Sequence, residues 1–351
     1  MINLSALALI VVVLLQSANT PARGASSREQ DLSALKKGAE AGDVNAQVQL
    51  GLAYASGDGV AADGPEAVKW FRKAADQGDA AGEYYLGEAY ATGRGVPVDY
   101  AEALKWLRKA ADQSESHAQY NLAVVYTQGL GVSKDEGEAA KWMRKAADQG
   151  LAAGQFGLGS MYAHGRGVPQ SATEAASWYR KAADQGDVPA MNNLAFLLAT
   201  STDPKVRDPK EAVSVALKAV EVEPDNPACL DTLATAYFEA GQPDKAAETE
   251  RRALALKPDD PSYKKALEKY ETASRHAGTT NLKDGALSTP TRVDLYVRFV
   301  DPAYVFLQVH RQRAGAGAGL LTSCTTTKPA APGFRGFRSL GIPAAGITRL
   351  S

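Results

Sequence analysis

The 351-residue chain is poor in the residues that cross-link small domains or bind metals. It has four histidines and two cysteines, Cys229 and Cys324, which are too distant in sequence to form a CxxC pair. No Cys or His cluster has the spacing of a metal site. The sequence therefore predicts no metal and no cofactor, and it favours Cys229 as a small buried apolar side chain.

Positive charge is scarce over most of the chain. Residues 31–275 carry 28 Lys and Arg against 36 Asp and Glu. Because nucleic-acid binding needs a basic surface, this acidic region argues against a nucleic-acid partner. Residues 276–351 differ, with nine basic and three acidic side chains. Their Gly, Ala, Thr and Pro content predicts a largely disordered basic tail, with two strands around Asp301 as an alternative.

A long hydrophobic run occurs only near the N-terminus. Residues 4–15 are apolar except for one serine, which is shorter than the roughly 20 residues that span a bilayer. The run fits a secretory signal peptide, although no Lys or Arg precedes it. Small residues at Ala22 and Gly24 favour cleavage before Ala25. We therefore expect residues 1–24 to direct export to the periplasm or outside the cell, with an uncleaved membrane anchor as the alternative.

Tryptophan is rare but regularly placed. Four tryptophans follow one another at intervals of 36 residues: Trp70, Trp106, Trp142 and Trp178. A fixed period of this size is typical of stacked repeats. Around Trp70, apolar side chains recur every three or four residues, which predicts a helix with one apolar face. Asp63 and Glu66 have the spacing of a capping box, and Gly78 supplies a left-handed residue for the helix end.

An earlier helix is predicted in each repeat. Within residues 80–93, Leu86, Gly87 and Tyr90 set a pattern that recurs every 36 residues and ends in a GxGV turn. A glycine-rich loop can bind phosphate, but no strand precedes this one and no lysine follows in register. One helix pair cannot bury its apolar face alone. We therefore expect the pairs to stack, with the tryptophans filling the joints.

These motifs resemble the Sel-one-like repeat family, a relative of the tetratricopeptide repeats. The resemblance covers residues 31–187, and residues 188–275 look like tetratricopeptide repeats closed by a polar capping helix from Pro261. It is carried in the second repeat by Leu86, Gly87, Tyr90, Gly93, Gly95, Val96, Ala103, Trp106, Ala110 and Ala111. The resemblance implies an all-α fold, a right-handed α-solenoid of stacked antiparallel helix pairs. It also implies a non-catalytic scaffold or adaptor that binds a protein or peptide.

The first helices of such stacks line the concave side, so the 36-residue register selects candidate partner-binding positions. These candidates are Tyr84, Glu88, Tyr120, Val124, Phe156 and Asn192. An aromatic ladder along a curved groove would suit an extended peptide. The alternative is that these rings pack between helices and never reach solvent.

Two other functions are weighed against the scaffold. Ser33 and Lys36, and likewise Ser262 and Lys265, match a serine-hydrolase fragment, which leaves a cell-wall hydrolase as an alternative. Neither fragment has the accompanying motifs of such enzymes, so we predict no catalytic residue. A third possibility is that the basic tail tethers the protein to an anionic polymer or membrane.

Overall fold

The protein is described from a computed structural model. The structure describes residues 25–283, 292–301 and 304–312, and the predicted signal peptide lies outside these ranges. The elements in chain order are α1 (Ala25–Glu40), α2 (Val44–Ser56), α3 (Gly64–Asp76), α4 (Ala80–Thr92), α5 (Tyr100–Asp112), α6 (Ser116–Gln128), α7 (Glu136–Asp148), α8 (Ala152–His164), α9 (Ala172–Ala183), α10 (Val188–Thr200), α11 (Pro209–Val222), α12 (Pro227–Glu239), α13 (Pro243–Leu256), α14 (Pro261–Lys283), β1 (Arg292–Asp301) and β2 (Tyr304–Gln312). The chain divides into two compact units between Ser274 and Arg275.

The first unit is a stack of helix pairs. Helices α2 and α3 form the first pair, and the following helices pair in the same order up to α12 and α13. Each pair also packs against the next, because α3 contacts α4, α5 contacts α6, and so on along the chain. Helix α1 packs on α2 as an unpaired second helix. The predicted all-α solenoid of stacked helix pairs is therefore confirmed.

The four tryptophans lie in the joints of the stack, as predicted. Trp70, Trp106, Trp142 and Trp178 are 7%, 5%, 6% and 6% exposed. Trp106 of α5 packs in one apolar cluster with Leu86 of its own pair and Phe71 of the preceding pair. Each indole therefore joins a second helix to the pair before it, which explains why the motif recurs with the joint.

Only the N-cap half of each predicted capping box forms at the start of the second helices, because the backbone N–H of Asp63 donates to the Tyr54 carbonyl at 2.9 Å and not to Glu66. The carboxylate of Asp63 accepts a hydrogen bond from the Glu66 backbone N–H at 2.9 Å, which satisfies a donor that has no partner within the helix. Gly78 follows α3 with φ of 80°. The second repeat has Ser114 at that position, and a serine there predicts a less sharply defined helix end than a glycine does. The structure instead gives Ser114 a φ of 67°, and α5 ends at the matching residue, Asp112.

Hydrogen bonds between side chains repeat with the same register as the tryptophans. A glutamine after each second helix donates to a side chain 30 residues earlier, at 2.8 Å in all four repeats: Gln77 to Gln47, Gln113 to Glu83, Gln149 to Gln119 and Gln185 to Gln155. An arginine of each second helix also donates to the tyrosine hydroxyl 18 residues later: Arg72 to Tyr90, Arg108 to Tyr126 and Arg144 to Tyr162. The series ends at Arg180, which donates to Glu211 at 2.6 Å instead.

Helix α8 begins without the cap that the neighbouring first helices have. Asp79 caps α4 and Asp187 caps α10, in each case by accepting from a backbone N–H at 2.7 Å. Leu151 occupies the equivalent position before α8 and has no side chain that can accept a hydrogen bond. The fourth repeat therefore lacks a stabilising hydrogen bond that the second and fifth repeats have at the start of their first helices.

Replacing Leu151 with Asp should raise the free energy of unfolding by about 1 kcal/mol, since a capping carboxylate contributes about this much. Chemical denaturation of the two proteins measures the change. Leu151→Ala is the matched control, because it removes the same apolar side chain without adding an acceptor. Equal stability of the Asp and Ala variants would show that the missing cap has no energetic effect.

The second unit contains an antiparallel β-hairpin. Strands β1 and β2 pair from Arg292 opposite Gln312 to Asp301 opposite Tyr304, with an irregularity after Phe299. Within the tail that we expected to be largely disordered, the structure thus has the two strands given as the alternative. Their β-branched and aromatic residues favour extended backbone. Residues 284–291, 302–303 and 313–351 of the tail lie outside the described residues.

Candidate partner-binding site

The six candidate residues lie on the first helices α4, α6, α8 and α10, and we call the surface that they mark the first-helix face. Tyr84, at its N-terminal end, is only 7% exposed. Its ring centroid lies 4.9 Å from that of Tyr85 and 5.8 Å from that of His117. Burial raises the pKa of the Tyr84 hydroxyl. Tyr84 therefore packs between helices, which is the alternative considered for the aromatic ladder.

Glu88 lies one helical turn after Tyr84 and is half-buried. Burial raises the pKa of its carboxyl, and the positive charge of Arg94 opposes that shift. The nearest guanidinium nitrogen of Arg94 is 3.8 Å from a Glu88 oxygen. On the next first helix, a hydrogen bond to Glu115 at 3.1 Å raises the pKa of the His117 imidazole. At this end of the face, each carboxylate therefore has a basic side chain close to it.

Three of the candidates meet in one pocket. Tyr120 and Val124 of α6 and Phe156 of α8 line a space of about 180 Å³ between these two helices. The floor of the pocket includes Met143 of α7, and Gly157 of α8 also lines it. Burial raises the pKa of the Tyr120 hydroxyl. The pocket is thus an apolar recess on the first-helix face between the third and fourth repeats.

Two charged side chains also border this pocket, Arg166 and Glu136. Arg166 donates to the Ser160 hydroxyl at 3.2 Å. Glu136 is paired with Lys134 at 2.9 Å, and this lysine holds the pKa of the Glu136 carboxyl below its usual range. The rim is therefore polar, whereas the walls are mostly apolar.

The sixth candidate, Asn192, does not line the pocket. It is half-buried on α10, and its side-chain oxygen has no hydrogen-bond partner among the described residues. The sequence pattern did not single out Met143, Gly157 and Arg166, which also line the pocket. The signal for Gly157 was present, because the equivalent positions in the other repeats are the larger Tyr85, Asn121 and Asn193.

The serines of the hydrolase fragments are exposed. Ser33 is exposed on α1, and the Nζ of Lys36 lies 5.9 Å from the centroid of the Tyr54 ring. The Ser262 hydroxyl donates to Asp260 at 2.5 Å. In the part of the chain with described side chains, no group of His, Cys, Asp or Glu could hold a metal ion. None of the described helices is both long enough and apolar enough to cross a bilayer.

A stack of antiparallel helix pairs with a recess on its first helices defines the class of helical-repeat solenoids. The Sel1 repeat model matches half of the chain, in five consecutive segments: residues 44–79, 80–115, 116–151, 152–187 and 188–219. The chain therefore belongs to the Sel1 repeat family. The fifth segment continues past residue 187, where we placed the change to tetratricopeptide-like repeats. A tetratricopeptide repeat model matches residues 206–270.

Solved structures agree with this assignment. The chain is 28% identical to a protective antigen of uropathogenic Escherichia coli strains that displays an SLR fold, over 73% of this chain and 68% of that one, with a TM-score of 0.53. It is 27% identical to a Sel1 repeat protein from Oxalobacter formigenes, over 67% of this chain and 96% of that one, with a TM-score of 0.58. Comparison with curated proteins gave no match. Proteins built from Sel1 and tetratricopeptide repeats are generally protein-interaction scaffolds.

Proposed function

We propose that this protein is an exported, non-catalytic scaffold that binds a protein or peptide on its first-helix face. The observation that carries the proposal is the pocket in which Tyr120, Val124 and Phe156 meet. An apolar recess with a few polar groups at its rim is the usual form of a binding site. Solenoids of this class offer such sites along an extended surface, which suits an extended chain.

Export rests on the pattern of residues 1–24, with its apolar run and the small residues before Ala25. N-terminal sequencing of the protein from fractionated cells tests this part. A chain that begins at Ala25 in the periplasm or medium is the expected result. A chain retained in the cytoplasm with its first residues intact would contradict export. No observation favours the hydrolase or the tail tether, so neither is carried further.

Partner binding is tested by reversing one charge on the first-helix face. Glu88→Lys should weaken the capture of a partner by the mature protein, because it reverses the charge of a half-buried carboxylate on that face. Asp112→Lys is the matched control, since it makes the same change of charge at an exposed position of the second helix α5. Circular dichroism verifies that both variants remain folded. If a partner is retained equally by the wild type and by both variants, Glu88 has no part in its recognition. Val124→Arg extends the test into the pocket.

A further inference from the structure

The pocket exists because one repeat lacks a side chain that its neighbours have. Tyr85 occupies this position on α4 and stacks on Phe71, with ring centroids 5.1 Å apart. Asn121 is the equivalent residue on α6. On α8 the position is Gly157, where an added Cβ would lie 2.6 Å from the Met143 sulfur. The glycine therefore brings the backbone of α8 down onto Met143 and leaves the space above it unfilled.

The walls of this space select for an apolar occupant. Two aromatic rings, a valine and two methionines supply most of its lining, and Thr127, Gln128 and Ser160 join the two charged side chains as its polar part. Methionine adapts its shape to different neighbours, so it forms a pliable floor. A volume of about 180 Å³ is suited to one large side chain rather than to a whole ligand of drug size, which usually occupies about 300 Å³ or more.

The charge beside the pocket differs from that of the equivalent position two repeats earlier. There, Arg94 has Glu88 as its partner at 3.8 Å. The corresponding arginine at the pocket is Arg166, and Ser160 stands where Glu88 would be. Among the described residues Arg166 makes no ion pair within 4.0 Å; Glu136 is paired with Lys134, and the charge of Arg166 acts on that carboxyl from a greater distance, lowering its pKa. An exposed guanidinium therefore stands beside an apolar recess, available to a carboxylate.

We propose that this pocket is a specificity subsite for an apolar side chain of the partner, such as Leu or Phe, with a carboxylate next to it that pairs with Arg166. The inference rests on the proposed function and adds the chemistry of the partner. An acidic side chain and a C-terminal carboxylate present the same group to Arg166. The experiment distinguishes these two sources.

The probes are pools of fluorescent octapeptides whose other positions are degenerate. The first set consists of three pools with amidated C-termini, in which the two central residues are Leu-Glu, Leu-Lys or Ser-Glu. A second set ends in Leu with either a free carboxylate or an amide. Fluorescence anisotropy with the mature wild type should show at least tenfold tighter binding of the Leu-Glu pool than of the other two internal pools. If the C-terminal carboxylate is the natural source, the preference appears instead between free and amidated ends.

Two variants test the pocket and the charge separately. Met143→Leu combined with Gly157→Asn copies the pair Leu107 and Asn121 from the preceding repeat, so the stack already tolerates this combination. It should abolish the preference for Leu over Ser. Arg166→Glu should reverse the preference from acidic to basic neighbours. The control Asp112→Lys should change neither.

The outcomes separate the inference from the proposed function. If wild-type protein binds the pools without an apolar and acidic preference, the inference is wrong while the scaffold function survives. The same conclusion follows if both pocket variants keep the wild-type preference. If the wild type binds no pool at all, peptide recognition itself is contradicted, and the inference falls with it.

Discussion

Replacing Trp142 with alanine should lower the free energy of unfolding by about 3–5 kcal/mol, the usual cost of truncating a buried tryptophan. The indole is 6% exposed and packs in one cluster with Leu122 and Leu158. Its ring N–H donates to Glu138 at 3.0 Å, and the ammonium of Lys145 lies 3.7 Å from the ring centroid. Truncation removes these contacts from a joint in the middle of the stack.

Denaturant unfolding followed by circular dichroism measures the loss. Because repeat proteins are stabilised by contacts between neighbours, a weakened central joint should also let the two halves unfold separately and broaden the transition. The control is Lys141→Ala, which removes an exposed lysine paired with Glu138 on the same helix. It should cost less than about 1 kcal/mol, as exposed ion pairs do. A Trp142 variant no less stable than this control would refute the role given to the indoles.

The repeated features of the fold could be predicted from the sequence because the same motifs occur in several consecutive repeats. The interval of 36 residues, the Asp63 N-cap and the glycine after the helix all describe the same joint, and the structure has each of them. A substitution at one position of one repeat therefore does not change the fold that the other repeats predict. Ser114 illustrates this, because its neighbours impose on a serine the backbone conformation that glycine adopts in the other repeats.

The candidate site could be predicted only in part. Register places Tyr84 and Tyr120 in equivalent positions, yet Tyr84 is buried while Tyr120 lines a pocket. The difference comes from their neighbours: Tyr85 and His117 lie against Tyr84, whereas Gly157 leaves open space beside Tyr120. Solvent access thus depends on side chains from adjacent repeats, and these are the positions at which the repeats differ.

Glu250 departs from the pattern in a different way. It is the eighth residue after the N-cap of α13, and the equivalent residues of the earlier second helices are Phe71, Leu107, Met143, Tyr179 and Ala216. A carboxyl therefore occupies a core position with 0% exposure, and neither of its oxygens has a well-formed hydrogen bond among the described residues. Burial, the negative charge of Asp231 and a side-chain hydrogen-bonding interaction with that residue raise the pKa of Glu250 to about 8.

This shift makes the stability of the wild type depend on pH with a definite sign. Glu250 stays protonated in the folded protein up to a pH near its pKa of about 8, whereas the unfolded chain releases the proton near the ordinary carboxyl pKa of 4.5. The unfolded state thus binds fewer protons between these values, and the free energy of unfolding falls as the pH rises from about 4.5 to about 8. Burial also raises the pKa of Asp231, which acts in the same direction.

Glu250→Met should therefore stabilise the protein, by on the order of 1–3 kcal/mol at pH 8, because an unsatisfied buried polar group costs about this much. The gain in stability should shrink towards pH 5. At that pH the unfolded wild-type chain also begins to bind the proton, so keeping Glu250 protonated in the folded protein costs less free energy. Denaturation at pH 5, 6, 7 and 8 measures both effects. Glu248→Met, at an exposed position of the same helix, is the control and should leave the slope with pH unchanged. If the Glu250 variant is less stable than the wild type and keeps the wild-type slope of stability with pH, the carboxyl makes favourable interactions in the folded protein. The buried position in α13 would then be one at which a polar side chain stabilises the last repeat.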